Sequence, residues 1–428
     1  MSIPIQQIAA AVNADRLWDR HMAMATFGAL PGYGVCRQAL TAEDIAARRQ
    51  LLAWAEQRGY ATAVDAIGNL FIRRPGTDPT LAPVLTGSHM DSQPRGGRFD
   101  GIYGVLAGLE ALNALDTAAA ETQRAIEVVA WTNEEGGRYE PGSMGSMVFT
   151  GALALSDCLG LRDADGVLLE DALAETLAST PGLEPRAFHV SIAAYLEAHI
   201  EQGPRLEAEN LPIGAVTGIQ GTRWFTITVR GATGHAGTVP LAVRRDALQG
   251  AVAVVQALNE LTADVDDIVK FTVGRFNVEP NAPNSIADRV IFSVDLRHPD
   301  AAVLMRLGDA IPKRCRAAAP RCDVEIIETA TNMPCEFDPA VVSAVEDVAR
   351  ELGLGSMRIP SGAFHDAQHM NALCPTGMIF VPCRDGVSHS PAEFADSQSL
   401  AAGAQVLAAV LYRLASSPGY FTKADEVP

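Results

Sequence analysis

Two kinds of hydrophobic pattern alternate along the chain. Apolar residues at helical spacing predict a helix over residues 43–59, closed by Gly59, and small apolar residues predict a buried helix over Val105–Leu115. The stretches NLFIRR at 69–74 and AIEVVAWT at 125–132 predict strands. Buried strands that alternate with helices in this way are typical of an α/β domain with helices on both faces of the sheet.

The pattern changes near Ile213. Strands with period-two alternation and two helices then follow one another, at 224–231, 247–262, 268–276, 289–297, 301–318 and 323–329. Four strands and two helices in so short a segment predict a small α+β sandwich of ferredoxin-like type. After Asn332, long apolar helices return together with the strand TGMIFVP. This order predicts a small domain over residues 213–331, inserted into a larger α/β domain formed by residues 1–212 and 332–428.

The composition is that of a folded two-domain protein, and it argues against one class of binding partner. The 428 residues are more than one hydrophobic core normally serves, and 48% are apolar while 20% are charged. Asp and Glu number 51 against 33 Lys and Arg, a formal net charge of −18. This excess argues against a nucleic-acid partner, because affinity for phosphate backbones comes from clustered cations. A small anionic substrate stays compatible, since one or two local cations are enough to bind it.

The sequence also predicts a cellular compartment. No apolar run reaches the roughly 18 residues that a membrane helix requires, and Asp15 and Arg16 come too early for a signal-peptide core. The seven cysteines form no CxxC pair, and an odd number is a poor disulfide framework. We therefore expect reduced, mostly buried thiols in a soluble cytoplasmic protein without a membrane partner.

The first candidate for chemistry is His89, in VLTGSHMDS, at the end of a predicted buried strand. Ligand sites in open α/β sheets lie at the carboxyl edge of the strands. Asp91 follows two residues later, and Asp100 in GGRFDG comes soon after. Taken alone, a His followed by an Asp is usually an ordinary surface pair and an Asp-Gly pair is usually a turn.

The second candidate is the pair Glu134 and Glu135, which follows the predicted strand that ends at Thr132. Adjacent carboxylates repel each other unless a cation lies nearby, and their side chains can diverge so that one binds a metal while the other reaches a water. The alternative is a solvated acidic loop. His199 in YLEAHIEQGP and His389 in DGVSHSP complete the set, although each alone is more often a hydrogen-bonded or surface histidine.

Together these residues form a consistent set of metal ligands. Imidazole with carboxylate suits Zn²⁺, Mn²⁺, Co²⁺ or Ni²⁺, whereas Mg²⁺ and Ca²⁺ prefer oxygen alone. Five ligands are too many for one closed tetrahedral zinc site. If one carboxylate bridges, the five divide into two sites of three ligands, which is the arrangement of a two-metal hydrolase with metals about 3.5–4 Å apart.

Seven stretches in order carry a resemblance to a known family. They resemble the amidohydrolase branch of the M20 metallopeptidase superfamily, which includes N-carbamoyl-L-amino-acid hydrolase, β-ureidopropionase and allantoate amidohydrolase, over about residues 28–415. The resemblance implies a two-metal aminopeptidase-like catalytic domain with an inserted ferredoxin-like domain for lid and dimerisation roles. The stretches are GSHMDSQPRGGRFDG, TNEEGGRYEPGSMGS, YLEAHIEQGPRLE, GATGHAGTVP, PNSIADRVIFSVDLRHPD, SGAFHDA and GVSHSPAE.

The resemblance assigns roles to the candidate metal ligands. One metal would be held by His89, Asp100 and His199, and the second by Asp100, Glu135 and His389, with Asp100 as the bridge. Glu134 corresponds to the general base that activates water and passes its proton to the leaving nitrogen. Asp91 corresponds to the carboxylate that orients His89, and a ligating histidine needs such an acceptor for its other N–H.

The inserted domain would bind the rest of the substrate. Arg297 in DLRHP resembles the family's carboxylate-binding arginine, a task that suits the guanidinium fork. Asn284 in APNSI and His235 in TGHAGTVP resemble residues that polarise the substrate carbonyl and stabilise the oxyanion. In this family the histidine comes from the partner subunit, so the resemblance implies a homodimer. Gln202 in HIEQGP resembles a residue near the metals. On the residues alone, Arg297 fits a strand-end salt bridge and Asn284 a turn equally well.

The implied activity is hydrolysis of an N-carbamoyl amino acid to the amino acid, CO₂ and ammonia. Allantoate or ureidoglycine hydrolysis and N-acyl-amino-acid cleavage are the enzymatic alternatives. A non-catalytic binding protein would have lost a ligand or Glu134, and none is lost. The chain departs from the family at Phe364, where a glycine is usual, and at Ala287–Asp288, where Pro-Gly is usual. A bulky ring at Phe364 would narrow or reshape the substrate pocket.

Overall fold

The computed structural model describes residues 3–417, and the chain divides into two compact units. The larger unit comprises residues 1–217 and 337–428, and the smaller unit comprises residues 218–336. Both junctions lie a few residues beyond the boundaries that the sequence pattern predicts. The strand that begins at Ile213 explains the first shift, because its residues Gly214–Val216 pair within the large sheet before the chain enters the smaller unit.

The described residues form α-helices, two single turns of 3-10 helix at Leu241–Val243 and Arg384–Gly386, and β-strands. The helices are α1 (Ile5–Ala10), α2 (Ala14–Met24), α3 (Ala42–Glu56), α4 (Ile102–Thr117), α5 (Met144–Thr150), α6 (Leu155–Leu159), α7 (Leu169–Ala178), α8 (Arg205–Glu209), α9 (Ala247–Leu261), α10 (Ala301–Ala318), α11 (Pro339–Glu351), α12 (Ala367–Met370) and α13 (Ser397–Ser416). The strands are β1 (Ala61–Val64), β2 (Leu70–Arg74), β3 (Val84–His89), β4 (Ile126–Trp131), β5 (Glu184–Pro185), β6 (Ala194–Ile200), β7 (Ile213–Ile219), β8 (Gly221–Arg230), β9 (Gly234–His235), β10 (Lys270–Thr272), β11 (Phe276–Glu279), β12 (Ser285–Ile286), β13 (Arg289–His298), β14 (Asp323–Asn332), β15 (Cys335–Glu336), β16 (Ser356–Ser361) and β17 (Thr376–Val381).

The larger unit is built on a sheet with the order β7-β17-β6-β3-β4-β2-β1-β5, and β16 pairs with β7. The short strand β15 pairs with Gly218 and Ile219 at the end of β7, and all four of these residues belong to the smaller unit. Its central strands β17, β6, β3 and β4 run parallel. Every residue of these four strands is buried, which explains their near-continuous apolar sequence. The predicted α/β architecture of this part is therefore confirmed, and α3, β2, α4 and β4 form where the hydrophobic pattern predicts them.

The two longest helices of this unit form much of its core. Helix α4 is buried along almost its whole length, and it packs against α13, β3 and β6. In the part of the chain that the structure describes, α13 is the one helix long and apolar enough to cross a membrane, and 72% of its apolar window is buried inside the protein. The hydrophobic pattern predicts this stretch as one of the long apolar helices after Asn332, and α13 confirms that prediction. Because α13 packs against α4, its apolar surface forms part of the core of this unit.

The smaller unit has the predicted ferredoxin-like arrangement. Its main sheet has the order β10-β13-β8-β14 with antiparallel neighbours, and β11 pairs with β13. Along β13, buried and half-buried residues alternate at all positions, and the buried face packs against α9 and α10. The single strand predicted over 268–276 is instead split into β10 and β11. Gly274 lies at the break, where Arg275 N–H donates to Ser293 Oγ at 3.0 Å.

The cysteines remain thiols. None of the seven, all of which lie in the described residues 3–417, forms a disulfide, and Cys158, Cys315, Cys374 and Cys383 are buried. Burial raises the pKa of Cys315, Cys374 and Cys383 to about 12, so these thiols are protonated and inert at neutral pH.

Candidate metal centre

Most of the predicted ligands lie at one edge of the sheet, where the parallel strands end. His89 is the last residue of β3, and it lies level with Trp131, the last residue of β4. Glu134 and Glu135 follow the end of β4 after two intervening residues, and His199 lies near the end of β6. Because parallel strands end at a common edge, residues far apart in sequence meet there. Asp100 and His389 reach the same place from loops.

The first predicted ligand group is brought together. His199 Nε2 lies 3.2 Å and His89 Nε2 lies 3.7 Å from Asp100 Oδ1. All three side chains are buried, and their ligand atoms lie within 4.8 Å of one another. The three donors therefore converge on a single point that one cation would fill.

The second predicted group forms around the other oxygen of the same aspartate. His389 Nε2 lies 3.3 Å from Asp100 Oδ2 and 3.3 Å from Glu135 Oε2. Unlike the first group it opens to solvent at His389, whose side chain is 51% exposed. Asp100 thus presents one oxygen to each group, as a bridging ligand does.

Backbone carbonyls fix the orientation of the two buried histidines. His89 Nδ1 lies 3.0 Å from Asp91 O, and His199 Nδ1 lies 2.9 Å from Ile200 O. An N–H at Nδ1 that donates to a carbonyl leaves the Nε2 lone pair free for a metal. The backbone N–H of Gly101, which donates to His199 Nε2 at 3.1 Å, agrees with this tautomer.

Asp91 has a different contact from the one that the sequence predicts. Its carboxylate Oδ1 lies 3.7 Å from His89 Nδ1, farther than its own carbonyl. The carboxylate instead accepts the backbone N–H groups of Glu134 at 3.2 Å and of Glu135 at 3.1 Å. The difference arises because the carbonyl already satisfies the histidine, and the carboxylate is then free to hold the loop that carries the two glutamates.

Glu134 lies beside the first group without belonging to either set of three ligands. Its Oε2 is 3.3 Å from His89 Nε2, and its side chain is largely buried. Burial raises the pKa of Glu134 well above its ordinary value, and the nearby charges of Asp366 and Glu135 raise it further. A carboxyl group that readily holds a proton at this position is suited to proton transfer.

The electrostatics of the centre fit divalent cations. Burial and the charge of Asp100 raise the pKa of Glu135 well above its usual range. Burial also acts to raise the pKa of Asp100, but its close contacts with His199 and the other neighbouring histidines outweigh burial and hold this pKa far below the usual range. Crowded, buried carboxylates of this kind repel one another until cations compensate them. The mixture of imidazole and carboxylate donors matches the first-row transition metals.

Several side chains that sequence analysis missed support the ligands. Gln93 donates from Nε2 to Glu135 Oε2 at 2.7 Å, and Ser388 donates from Oγ to Asp100 Oδ2 at 2.7 Å. Gln202, which was predicted, donates from Nε2 to the same Asp100 oxygen at 2.9 Å. Gln93 and Ser388 lie inside two of the quoted motifs, GSHMDSQPRGGRFDG and GVSHSPAE, but a polar residue in a loop has no spacing that distinguishes it from its neighbours.

A further buried group shares His199 with the first. The side chains of Glu197, His199 and His365 have possible ligand atoms within 4.8 Å of one another. However, Glu197 already accepts a hydrogen bond from Ser88 Oγ at 2.7 Å, and His365 Nε2 contacts Ser361 Oγ at 3.0 Å. Glu197 and His365 are thus hydrogen-bonded to serines, and the ring of His365 packs edge-on against His199 with centroids 4.5 Å apart. Phe364, directly before His365, is half-buried.

The remaining predicted residues lie in the smaller unit. His235 in β9 pairs with Ser285 of β12, and the N–H of Ala236 donates to Asn284 O at 3.0 Å. The side chains of His235 and Asn284 are exposed. Arg297 lies near the end of β13 and forms an ion pair with Asp295 at 2.8 Å, so the strand-end salt bridge considered from sequence is present.

Comparisons with known proteins agree with this geometry. Residues 85–413 match the model of peptidase family M20/M25/M40. The chain is 39% identical to the N-carbamoyl-L-amino-acid amidohydrolase of Rhizobium meliloti, over 92% of this chain and 95% of that one. It is 38% identical to the corresponding protein of Geobacillus stearothermophilus, over 94% and 99%. It is also 34% identical to the allantoate amidohydrolase of Bacillus subtilis, over 92% and 95%.

A solved structure shows the same fold. The chain superposes on an amidase of the hydantoinase/carbamoylase family from Burkholderia multivorans with a TM-score of 0.90 and 44% identity. The match covers 95% of this chain and 99% of that one, so it includes both units.

Proposed function

The chain belongs to peptidase family M20/M25/M40 and is an amidohydrolase, and we propose that it cleaves the ureido group of an N-carbamoyl amino acid with two bound divalent cations. The products would be the free amino acid, CO₂ and ammonia. One observation carries the proposal: Asp100 offers Oδ1 to one group of ligands and Oδ2 to another. Two relatives at 39% and 38% identity are named N-carbamoyl-L-amino-acid amidohydrolases, and these names support the substrate class.

The metals would be held by the two groups around Asp100. When bound, the two cations would supply Lewis acidity at the ureido carbonyl and lower the pKa of the attacking water. The first group offers two histidines and one carboxylate, and the second offers one histidine and two carboxylates. Zn²⁺, Mn²⁺, Co²⁺ and Ni²⁺ all bind to such mixed donor sets.

Glu134 would serve as general base and then as general acid. Its carboxylate stands 3.3 Å from His89 Nε2, within reach of a water between the two ligand groups. It would take one proton from the water that attacks the ureido carbon and pass it to the nitrogen of the amino acid as the C–N bond breaks. The carbamic acid that remains decomposes to CO₂ and ammonia, so the atoms balance.

The smaller unit would supply the groups that bind the substrate away from the metals. Arg297 would exchange Asp295 for the substrate carboxylate, since its fork-shaped donor set suits that anion. Asn284 and His235 would stabilise the oxyanion, and Gln202 would contact the substrate near the metals. Following the family resemblance, His235 would act from the partner subunit of a homodimer. The absence of disulfides among residues 3–417 supports a cytoplasmic enzyme.

Allantoate hydrolysis is the second candidate, and the 34% identical allantoate amidohydrolase supports it. Both substrates offer a ureido or amide carbonyl and a carboxylate, so the metal centre does not separate them. The identity to the carbamoylases is higher, which favours the first candidate.

The test is ammonia release by protein that has been stripped of metal and reloaded with each of the four ions. The substrates are N-carbamoyl-L-α-amino acids, N-carbamoyl-β-alanine, allantoate and an N-acetyl-amino acid, the last assayed by its free amine. Ammonia from a carbamoyl substrate, and only with metal, is the expected result. Cleavage of allantoate alone would favour the second candidate, and cleavage of the N-acetyl compound alone would overturn the ureido proposal.

A further inference from the structure

One buried carboxylate, Glu393, joins the loop that carries Asp100 to the loop that carries His389. Its Oε1 accepts the backbone N–H of Phe99 at 2.8 Å and of Asp100 itself at 3.1 Å. Its Oε2 lies 3.2 Å from Ser388 Oγ, and Ser388 directly precedes His389. Glu393 is only 4% exposed. One side chain therefore contacts the backbone of the bridging ligand and the neighbour of a ligand in the second group.

The contact with Ser388 extends to the bridging carboxylate. Ser388 Oγ donates to Asp100 Oδ2 at 2.7 Å, and this is the oxygen that faces His389. The terminal torsion of an aspartate is soft, so external donors are needed to fix the plane of the carboxylate. Ser388 holds Oδ2 toward the second group, which leaves Oδ1 directed at His199.

The surrounding loops are shaped around Glu393. A Cβ atom at Gly97 would lie 2.0 Å from Glu393 Cδ, so only a glycine leaves room for the carboxylate there. The next residue, Phe394, packs edge-on against Phe99 with ring centroids 6.0 Å apart. The two loops are thus fixed to each other by a hydrophobic contact beside the polar one.

We propose that Glu393 is a positioning residue that keeps Asp100 in its bridging orientation and so sustains binding of the second cation. The inference rests on the proposed two-metal function. Without Glu393, two backbone N–H groups lose their acceptor and Ser388 loses the contact that fixes its hydroxyl. Asp100 Oδ2 is then held toward His389 only by Gln202 Nε2 at 2.9 Å and by a Ser388 hydroxyl that has lost its own support, so its orientation is less firmly fixed. The first group retains His89 and His199. Supporting contacts of this kind typically change metal affinity by about 10- to 100-fold.

The test is a titration of metal-stripped protein with Co²⁺, followed by visible absorbance and by equilibrium dialysis. Glu393→Ala is expected to bind its first Co²⁺ within threefold of wild type and its second at least tenfold more weakly. Glu393→Gln keeps an acceptor for both N–H groups and donates to Ser388 Oγ, so it should stay within threefold for both ions. Glu127→Gln is the matched control, because Glu127 is buried in the same unit but contacts Arg73 and Arg186 and no ligand.

If Glu393→Ala does not fold, Ser388→Ala tests the same set of contacts. Ser388→Ala removes one hydroxyl and is expected to weaken the second Co²⁺ at least tenfold with an unchanged circular dichroism spectrum. The inference would be overturned if Glu393→Ala and Ser388→Ala both bound two Co²⁺ ions with wild-type affinity. It would also be overturned if Glu127→Gln lost as much affinity for the second Co²⁺ as they do. Two Co²⁺ sites in a wild-type protein that cleaves no ureido compound would overturn the proposed substrate but leave the Co²⁺ comparison of the variants valid.

Discussion

Gln93 forms hydrogen bonds with both the side-chain carboxylate and the backbone carbonyl of Glu135. Its side-chain Nε2 donates to Glu135 Oε2 at 2.7 Å and lies 3.2 Å from the carbonyl oxygen of the same residue. Its backbone N–H adds a contact to Oε1 at 3.2 Å. Because Oε2 is the atom that faces His389, Gln93 sets the direction in which this carboxylate offers its lone pairs.

Replacing Gln93 with leucine should therefore weaken the second metal site. We expect its affinity for Zn²⁺ to fall by about 10- to 100-fold in a chelator-buffered titration, because Glu135 loses its side-chain donor. Gln38→Leu is the matched control, since Gln38 donates to Gly137 O at 2.8 Å in the same loop but does not contact Glu135. An equal loss of affinity in both variants would assign the effect to the loop as a whole.

Glu134→Gln separates proton transfer from metal binding. The amide has nearly the shape of the carboxyl group but cannot accept the proton, so turnover should fall by about 10²- to 10⁴-fold. Metal content, measured by atomic emission, should stay at the wild-type level. A variant that binds metal and keeps wild-type turnover would remove Glu134 from its proposed role.

Gly101→Ala should disrupt the first metal site. Gly101 has a φ of +65°, and a Cβ atom there would lie 2.2 Å from Cε1 of His89. The imidazole would have to move away from Asp100, and we expect the loss of tight binding of the first metal in equilibrium dialysis. Gly166→Ala controls for backbone strain, because Gly166 also has a positive φ of +84° but nothing within 4 Å. Wild-type metal content in Gly101→Ala would contradict the geometry of this group.

Ionisation of Asp65 should lower the free energy of unfolding as the pH rises from about 4 to 7. Burial raises the pKa of Asp65 from 3.8 to about 7, against hydrogen bonds from Asn69 that act to lower it. Between these pH values the folded protein keeps a proton that the unfolded chain has released, and stability is lost as that proton leaves. The effect is at most roughly 4 kcal/mol.

The measurement for Asp65 is urea unfolding of wild type and Asp65→Asn at pH 4.5, 6 and 7.5. The variant should lose less stability over this range than wild type, because its side chain does not titrate. Asp15→Asn, at an exposed position, controls for the loss of one negative charge. Parallel pH profiles for wild type and Asp65→Asn would show that Asp65 ionises normally.

Glu110 should stabilise the N-terminal segment far more than an exposed ion pair does. It is fully buried in α4, where Arg16 donates two hydrogen bonds at 2.6 and 2.8 Å and Asn13 N–H donates a third at 2.8 Å. Glu110→Ala leaves these donors unpaired, and we expect a loss of about 3 kcal/mol in urea unfolding. Glu351→Ala, which breaks the exposed pair with Arg413, should cost about 1 kcal/mol or less.

Local periodicity in the sequence was enough to predict the α/β architecture and the inserted α+β segment. Alternation along β13 reflects the burial of one face at the period of a strand, whereas the apolar runs of β3 and β4 reflect burial on both faces. The split of the strand over 268–276 was not predicted, because a single glycine in a strand pattern does not reveal whether pairing continues past it. The few-residue shift of the first unit boundary was not predicted either, because β7 continues as one strand across the junction.

The sequence by itself determined which residue types stand at the ends of the parallel strands, and strand order then required His89, Glu135 and His199 to meet at one edge. Only the tertiary structure decided how they are held. Glu393 contacts the backbone at Phe99 across 294 residues of chain, and Asp91 uses its carbonyl for His89 and its carboxylate for the next loop. Such contacts join loops without any repeating pattern, so no period in the sequence records them. Hydrophobic burial repeats with the geometry of a helix or strand, whereas the hydrogen bonds that orient a site depend on which loops the folded chain brings together.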